Sequence, residues 1–240
     1  MASLTIDLSP IPAIRSALDR DQPDPIQAAV LAELAGADGI AFTLRSGRRQ
    51  AQPRDVAILG SVIKTRLSLA IPPLDELIDQ VLTIKPAEAT FFADSGSDNE
   101  PMATIGFDVP EIDYQDLSAR LSGIGIAVRY YIEPDATAVK QARRAGAEGV
   151  VLSASAYTAA RELSRAQEEL DRLDQAAQAA AKAGLSVACC RGLDFTNIEP
   201  LTQLGVIDEF IVGGALMARA ALIGIESAIG RMRTLVRSQV

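Results

Sequence analysis

The residues best placed to do chemistry in this 240-residue chain are two glycine turns and the polar side chains around them. Glu209-Phe210-Ile211-Val212 runs into Gly213-Gly214, and a helix-forming stretch, Ala215-Leu216-Met217-Ala218-Arg219-Ala220, follows at once. This is the pattern of a strand, a tight turn and a helix start. The first amides of a helix have no partner within it and sit at the positive end of its dipole. Glycine lets an anion come close to that backbone. Arg191-Gly192 repeats the character of the turn one strand earlier. The chemistry expected here is the binding of a phosphorylated or other anionic small molecule; the alternative is that the glycines only reverse the chain.

Other candidates each carry a competing reading. Arg45, with Arg48 and Arg49, forms a basic loop in an acidic chain. Its forked guanidinium groups suit phosphate or carboxylate, and a solvated loop explains them equally well. Arg191 either meets a bound anion or pairs with Asp7 or Asp194. Cys190 is a nucleophile only if a neighbouring arginine lowers its pKa; a small buried side chain is the simpler reading. Asp94 and Glu133 are an acid/base pair if they are close, and loop caps if they are not. No histidine exists in the chain, which removes the commonest acid/base group and the commonest metal ligand. The two cysteines, Cys189 and Cys190, are adjacent, so a bond between them would be strained. They are expected as free thiols in a reducing compartment. No metal site and no cofactor are implied.

A net charge of −8 and an isoelectric point near 4.7 argue against a nucleic-acid surface. No apolar run reaches the ~18 residues of a spanning helix, and the chain does not open on a leader pattern. The expectation is a cytoplasmic protein with no membrane partner.

The elements that must position these residues alternate. Strands are expected at 4–8, 39–44, 66–71, 89–93, 127–132, 149–152 and 185–188, with an eighth ending at Val212. Helices are expected at 26–35, 54–64, 74–84, 113–121, 135–146, 157–184, 197–204 and 215–237. Asp24 before Pro25 reads as a helix cap, whereas Ser9-Pro10-Ile11-Pro12 reads as a break leading into a loop to Gln22. The 94–110 loop is long enough to be functional. The 157–184 stretch is an enlarged helical segment after the sixth strand, rich in strong helix formers. Eight strand/helix pairs in strict order predict a closed parallel (β/α)8 TIM barrel of one domain, 1–240, with its site at the C-terminal strand ends. That rule selects Asp7 and Ser9, Thr43 and Arg45, Ala70, Asp94, Glu133, Ser153 and Ser155, Cys190 and Arg191, and Gly213-Gly214.

Several stretches carry a resemblance: Pro23-Asp-Pro-Ile-Gln-Ala-Ala29, Ala35-Gly-Ala-Asp-Gly-Ile40, Leu44-Arg45 with Arg48-Arg49, Arg54-Asp55-Val56, Gly192-Leu193, and Gly213 with Arg219-Ala220. In this order and spacing the chain resembles the pyridoxine 5'-phosphate synthase (PdxJ) family of vitamin B6 biosynthesis along nearly its whole length. The resemblance implies a (β/α)8 barrel that forms a homo-oligomer, commonly an octamer. It implies condensation of 3-amino-2-oxopropyl phosphate with 1-deoxy-D-xylulose 5-phosphate to pyridoxine 5'-phosphate, phosphate and water, with proton transfers run by histidines and glutamates. The chain departs from the family at those very groups. The family's first-strand Asn-x-Asp-His falls on Asp7, Ser9 and Pro10. Its second-strand base histidine falls on Thr43, and the later loop histidine on Gln50. Its glutamates fall on Ala70 and Val151. The histidines beside the seventh- and eighth-strand glycines fall on Arg191 and Gly214, and a phosphate-contacting arginine on Leu18. Arg45 and the glycines Gly192 and Gly213 are kept. The expectation is a family barrel that has lost the condensation and retains an anion site at Asp7, Arg45, Arg191, Gly192, Gly213 and Gly214. The alternative is an enzyme working through substituted groups.

Overall fold

A computed structural model describes residues 1–45, 53–94 and 102–238, the side chains of 53 and 54 excepted. Arg48, Arg49 and Gln50 lie outside the described residues. Eight parallel strands close into a barrel in the order of the sequence. They are β1 (Ser3–Asp7), β2 (Gly39–Thr43), β3 (Arg66–Ile71), β4 (Glu88–Phe91), β5 (Ala127–Ile132), β6 (Gly149–Ser153), β7 (Ser186–Cys190) and β8 (Glu209–Val212). Ring closure is made by β1 on β8, with Thr5 opposite Ile211 and Ile6 opposite Val212.

Alternation along the strands sorts the side chains. Leu4, Ile6 and Leu8 face outward into the main core between sheet and helices, and Thr5 and Asp7 face inward. A second, smaller core of Phe92, Tyr131, Val151, Ala188 and Cys190 fills the barrel interior. Cys189 and Cys190 therefore fall on opposite faces of β7, one in each core, and both are free thiols.

The helices follow the sequence closely where caps announce them. Asp24 accepts from the Ile26 amide at the start of α2 (Pro25–Leu34). Asp113 does so for α5 (Tyr114–Ser122), and Asp135 for α6 (Ala136–Arg144). Helix α3 (Pro53–Val62) and the uncapped α4 (Asp75–Ile84) turn Val56, Leu59, Leu77, Ile78 and Val81 to the core.

Three expectations are corrected. The stretch after Ser9 is a helix, α1 (Pro10–Leu18), because proline is at home in a first helical turn and Ile11 and Pro12 are buried. The long segment after β6 is two helices, α7 (Ser155–Ala159) and α8 (Leu163–Lys182), parted where Ala160 is extended. The break lets α7 lie on the β7 turn: Tyr157 Oη donates to the Asn197 carbonyl, and the Thr158 side chain abuts Gly192. Beyond β7, α9 (Glu199–Thr202) is short. The last helix is also two, α10 (Gly214–Ile223) and α11 (Ile225–Arg237), divided at Gly224 with φ +83°.

At the N-terminal end of the barrel an ion cluster is sealed in. Arg129, on β5, is 3% exposed. It donates to Glu209 and to Ser68 Oγ (3.0 Å) and pairs with Glu88 at 2.8 Å. Arg66 adds a second contact to Glu209 at 3.1 Å, and Thr5 a hydroxyl. Burial works to raise the Glu209 carboxyl, but Arg129 and Arg66 outweigh it and hold the group below the usual range. Among the described residues, no helix is long and apolar enough to cross a membrane.

Candidate functional site

A cavity of about 350 Å³ opens at the C-terminal ends of the strands. It brings together most of the residues that sequence position singles out: Asp7 from β1, Thr43 from β2, Ala70 from β3, Val151 from β6, Cys190, Arg191 and Gly192 from β7 and its turn, and Gly213 and Gly214 after β8. The mouth is thus a space and is not filled by side chains.

One wall is built on the two glycine turns. Gly213 stands where a Cβ would come within 2.9 Å of Asp7 Oδ2 and 3.0 Å of the Asp7 carbonyl oxygen, so the β8 turn packs directly against the end of β1. Gly214 opens α10, and a Cβ there would meet nothing within 4 Å. Among the described residues no side chain caps α10, so its first amides, at Gly214 and Ala215, lie open beside the cavity. At the neighbouring turn Arg191 has φ +80° and Gly192 φ +69°. Left-handed backbone is unusual for arginine, and such strain concentrates at functional sites. Among the described residues no carboxylate lies within ion-pair distance of Arg191, neither Asp7 nor Asp194. Asp194 instead caps its own turn through the Thr196 and Asn197 amides.

Asp7 sits deep in the mouth, partly open to the cavity. Burial pushes its carboxyl above the usual range, against the lowering effect of two bonds from Ser9 and of the nearby Arg191 charge. Ser9 gives Asp7 Oδ1 both its amide, at 2.9 Å, and its hydroxyl. That hydroxyl in turn accepts the Thr43 amide at 2.8 Å, which ties β1 to β2. Asp7 is therefore fixed in orientation and reluctant to ionise.

The remaining candidates fare differently. Thr43 Oγ1 is 3.8 Å from Met102 Sδ, and Ala70 and Val151 present only carbon. Burial raises the Cys190 thiol to about 12, more than Arg191 offsets, the opposite of the lowering that the nucleophile reading requires. Arg45 does not line the cavity: it pairs with Asp94 at 3.6 Å, and its guanidinium lies 5.1 Å from the Phe92 ring centre. Glu133 accepts from Thr104 at 3.1 Å, so Asp94 and Glu133 hold different partners and neither reaches the cavity. Leu18 is exposed at the end of α1.

Two lining residues escaped sequence reasoning, Ser68 and Thr90, on the deep side of the cavity. Each is a small polar residue alternating with apolar ones in a strand, a signal that is visible but does not distinguish a lining hydroxyl from a packed one.

Comparison with known proteins gives concordant results. Residues 4–238 match the family model of the pyridoxal phosphate biosynthesis protein PdxJ. The chain is 34% identical over 237 residues to pyridoxine 5'-phosphate synthase of Geobacter sulfurreducens, covering 99% of both chains. It is 36% identical over 239 residues to that of Syntrophotalea carbinolica, covering 98% of this chain and 99% of the relative. Among solved structures, phosphoribosyl anthranilate isomerase from Thermus thermophilus superposes with a TM-score of 0.60, over 97% of this chain and 99% of that one. At 14% identity that likeness shows the fold alone.

Proposed function

This chain belongs to the PdxJ family, and from that premise we propose that it binds a phosphorylated or other anionic small molecule at the turns after β7 and β8 without running the family condensation. The observation that carries the reading is one juxtaposition. The positions where the resemblance places the family's proton-transfer groups, Thr43, Ala70 and Val151, line the same cavity as the uncapped α10 amides and Arg191. Threonine, alanine and valine take no proton near neutral pH. General acid/base help contributes ~10²–10⁴-fold per group, so the loss of several together removes the reaction. Backbone amides bind an anion whatever side chains surround them, and that part of the site is intact.

Calorimetry with inorganic phosphate and pyridoxine 5'-phosphate tests the binding half. Heat is expected with the wild-type protein. Arg191→Met should weaken binding about tenfold, in keeping with one charge-assisted hydrogen bond. No heat at millimolar ligand would sink the proposal. The catalytic half is tested by expressing the chain in a strain that lacks pyridoxine 5'-phosphate synthase, where no rescue is expected.

One observation favours the second reading, an enzyme with substituted groups. Asp7 is an oriented carboxyl of raised pKa facing the cavity, the kind of group that can hold and deliver a proton. Rescue of the deficient strain by the wild-type chain, lost in Asp7→Asn, would establish that reading over the first.

A further inference from the structure

The turn that carries Arg191 is braced on both sides of that residue. Arg191 and Gly192, at φ +80° and +69°, are the only consecutive left-handed residues among those described. Arginine rarely adopts that conformation, and where it does the surroundings hold it there. One brace lies just before Arg191: the Cys190 carbonyl accepts the Ala154 amide at 2.9 Å. The other lies just after it. Asn197 Nδ2 donates to the Gly192 carbonyl at 2.9 Å. The first brace is made by backbone alone; the second is a side chain.

Asn197 is itself held from two directions. Its Oδ1 accepts the Asp194 amide at 2.8 Å, and Asp194 Oδ1 accepts the Asn197 amide at 2.9 Å, so the two residues clasp each other across the turn. From α7, Tyr157 Oη donates to the Asn197 carbonyl at 2.9 Å. Helix α7 also presses on the turn directly, since a Cβ on Gly192 would overlap Thr158 Oγ1. The side chain so mounted lines the cavity, and its charge acts on Asp7 and Cys190 in the same lining. Among the described residues it has no carboxylate at ion-pair distance. A strained backbone, fixed on both sides, thus presents a cation to a cavity.

We propose that Asn197 is a positioning residue for anion binding: its bond to the Gly192 carbonyl holds the backbone at Arg191 and keeps the guanidinium where it meets the bound anion. The proposal rests on the anion reading of the β7 and β8 turns. Asn197 does not line the cavity, so it acts through Arg191. One other path runs from this turn to the cradle. The Arg219 guanidinium carbon, on α10, lies 5.7 Å from the centre of the Phe195 ring. A double-mutant cycle separates the two paths.

The test is calorimetry with inorganic phosphate on wild type, Asn197→Ala, Arg191→Met and the double variant, with a thermal melt of each. Asn197→Ala should bind phosphate ~5-fold more weakly than wild type, a smaller loss than that of Arg191→Met because a misaligned charge still attracts. In the Arg191→Met background the same substitution should add nothing. Tyr157→Phe, which frees the Asn197 carbonyl and keeps the ring, should cost ~2-fold, again only while Arg191 is present. It decides the matter if Asn197→Ala does not fold. A clasp that serves only the fold would lower the melting temperature and leave phosphate affinity at the wild-type value. That result overturns the positioning role and leaves the anion site standing. So does a loss of equal size with and without Arg191, which routes the effect through Phe195 and α10. If wild type itself gives no heat with phosphate at millimolar concentration, the anion reading falls and the positioning role falls with it.

Discussion

The adjacent glycines after β8 should respond oppositely to the same substitution. In Gly213→Ala the new methyl would lie 2.9 Å from Asp7 Oδ2, 3.0 Å from Asp7 Cβ and 3.0 Å from the Asp7 carbonyl oxygen. The carboxyl cannot swing aside freely, because Ser9 holds its other oxygen with an amide and a hydroxyl. The carbonyl cannot retreat without pulling β1 from β8, where Ile6 is paired with Val212. Overpacking of this kind costs ~1–3 kcal/mol. In Gly214→Ala the methyl meets nothing within 4 Å and the residue begins a helix. Loss of unfolded-state freedom should then stabilise the protein by ~0.4–1 kcal/mol. Urea unfolding of the two variants and wild type, followed by circular dichroism, reads both shifts. Phosphate calorimetry on the same samples should show weakened binding for Gly213→Ala only in proportion to the displaced turn. Equal midpoints for Gly213→Ala and wild type, or equal losses in both variants, would refute the claim that the β8 turn is pressed onto Asp7.

Two further perturbations probe the layers around that turn. Arg129→Met should destabilise by ~3–5 kcal/mol, a large share of the ~5–15 kcal/mol typical of a domain, because Glu209 and Glu88 would be left buried without their cation; adding Glu209→Gln should return part of the loss, and a single mutant as stable as wild type in urea would dismiss the ion cluster as a structural element. For Asp7 the sign is set by its raised pKa: the native state binds the proton more tightly than the unfolded chain, so the stability Asp7 contributes is greatest below the ordinary carboxyl range and declines as pH rises through its native pKa. Asp7→Asn should lack that decline, and thermal melts across pH 4 to 8 that run parallel for the two proteins would contradict it.

How much of this was legible in the sequence depends on the range of the interaction responsible. Strand order, the caps at Asp24, Asp113 and Asp135, and the strand-end positions of Thr43, Ala70 and Arg191 follow from local pattern, and the barrel rule then gathers the strand ends into one mouth. Pro10 and Pro12 were opaque because proline both breaks a strand and suits a helix start, and only the burial of Ile11 and Pro12 decides between them. Gly224 sits in a run of helix formers, so its positive φ shows only in three dimensions. Arg129, a charge within the strand Ala127-Val-Arg-Tyr-Tyr-Ile132, carries no local signal of its burial. Its partners Glu88 and Glu209 are 41 and 80 residues away, and only ring closure places all three at the same depth.

The division between what the chain keeps and what it has exchanged has a physical logic. An anion cradle made from the first amides of α10 and a glycine pressed on Asp7 depends on backbone path, which eight paired strands fix and which tolerates wide change in neighbouring side chains. Proton transfer depends on the identity of single side chains, and under the proposed reading the residues at Thr43, Ala70 and Val151 have removed it while the barrel stays closed. Space left by smaller groups is then available to new contacts. In this chain that space is bounded by Ser68 and Thr90 and, below them, by an internally neutral ion cluster. Among the groups that line this cavity, Asp7 is an oriented carboxyl of raised pKa. That residue is why the pH dependence of binding, measured in wild type and Asp7→Asn with one phosphomonoester, separates a binding protein from an enzyme. In the binding protein, Asp7 beside the phosphate cradle should make affinity fall as pH rises and the carboxyl ionises, and Asp7→Asn should bind at least as well with that fall removed. Binding that is lost in Asp7→Asn at every pH would assign the carboxyl a direct part in holding the ligand and refute the backbone cradle as the principal site.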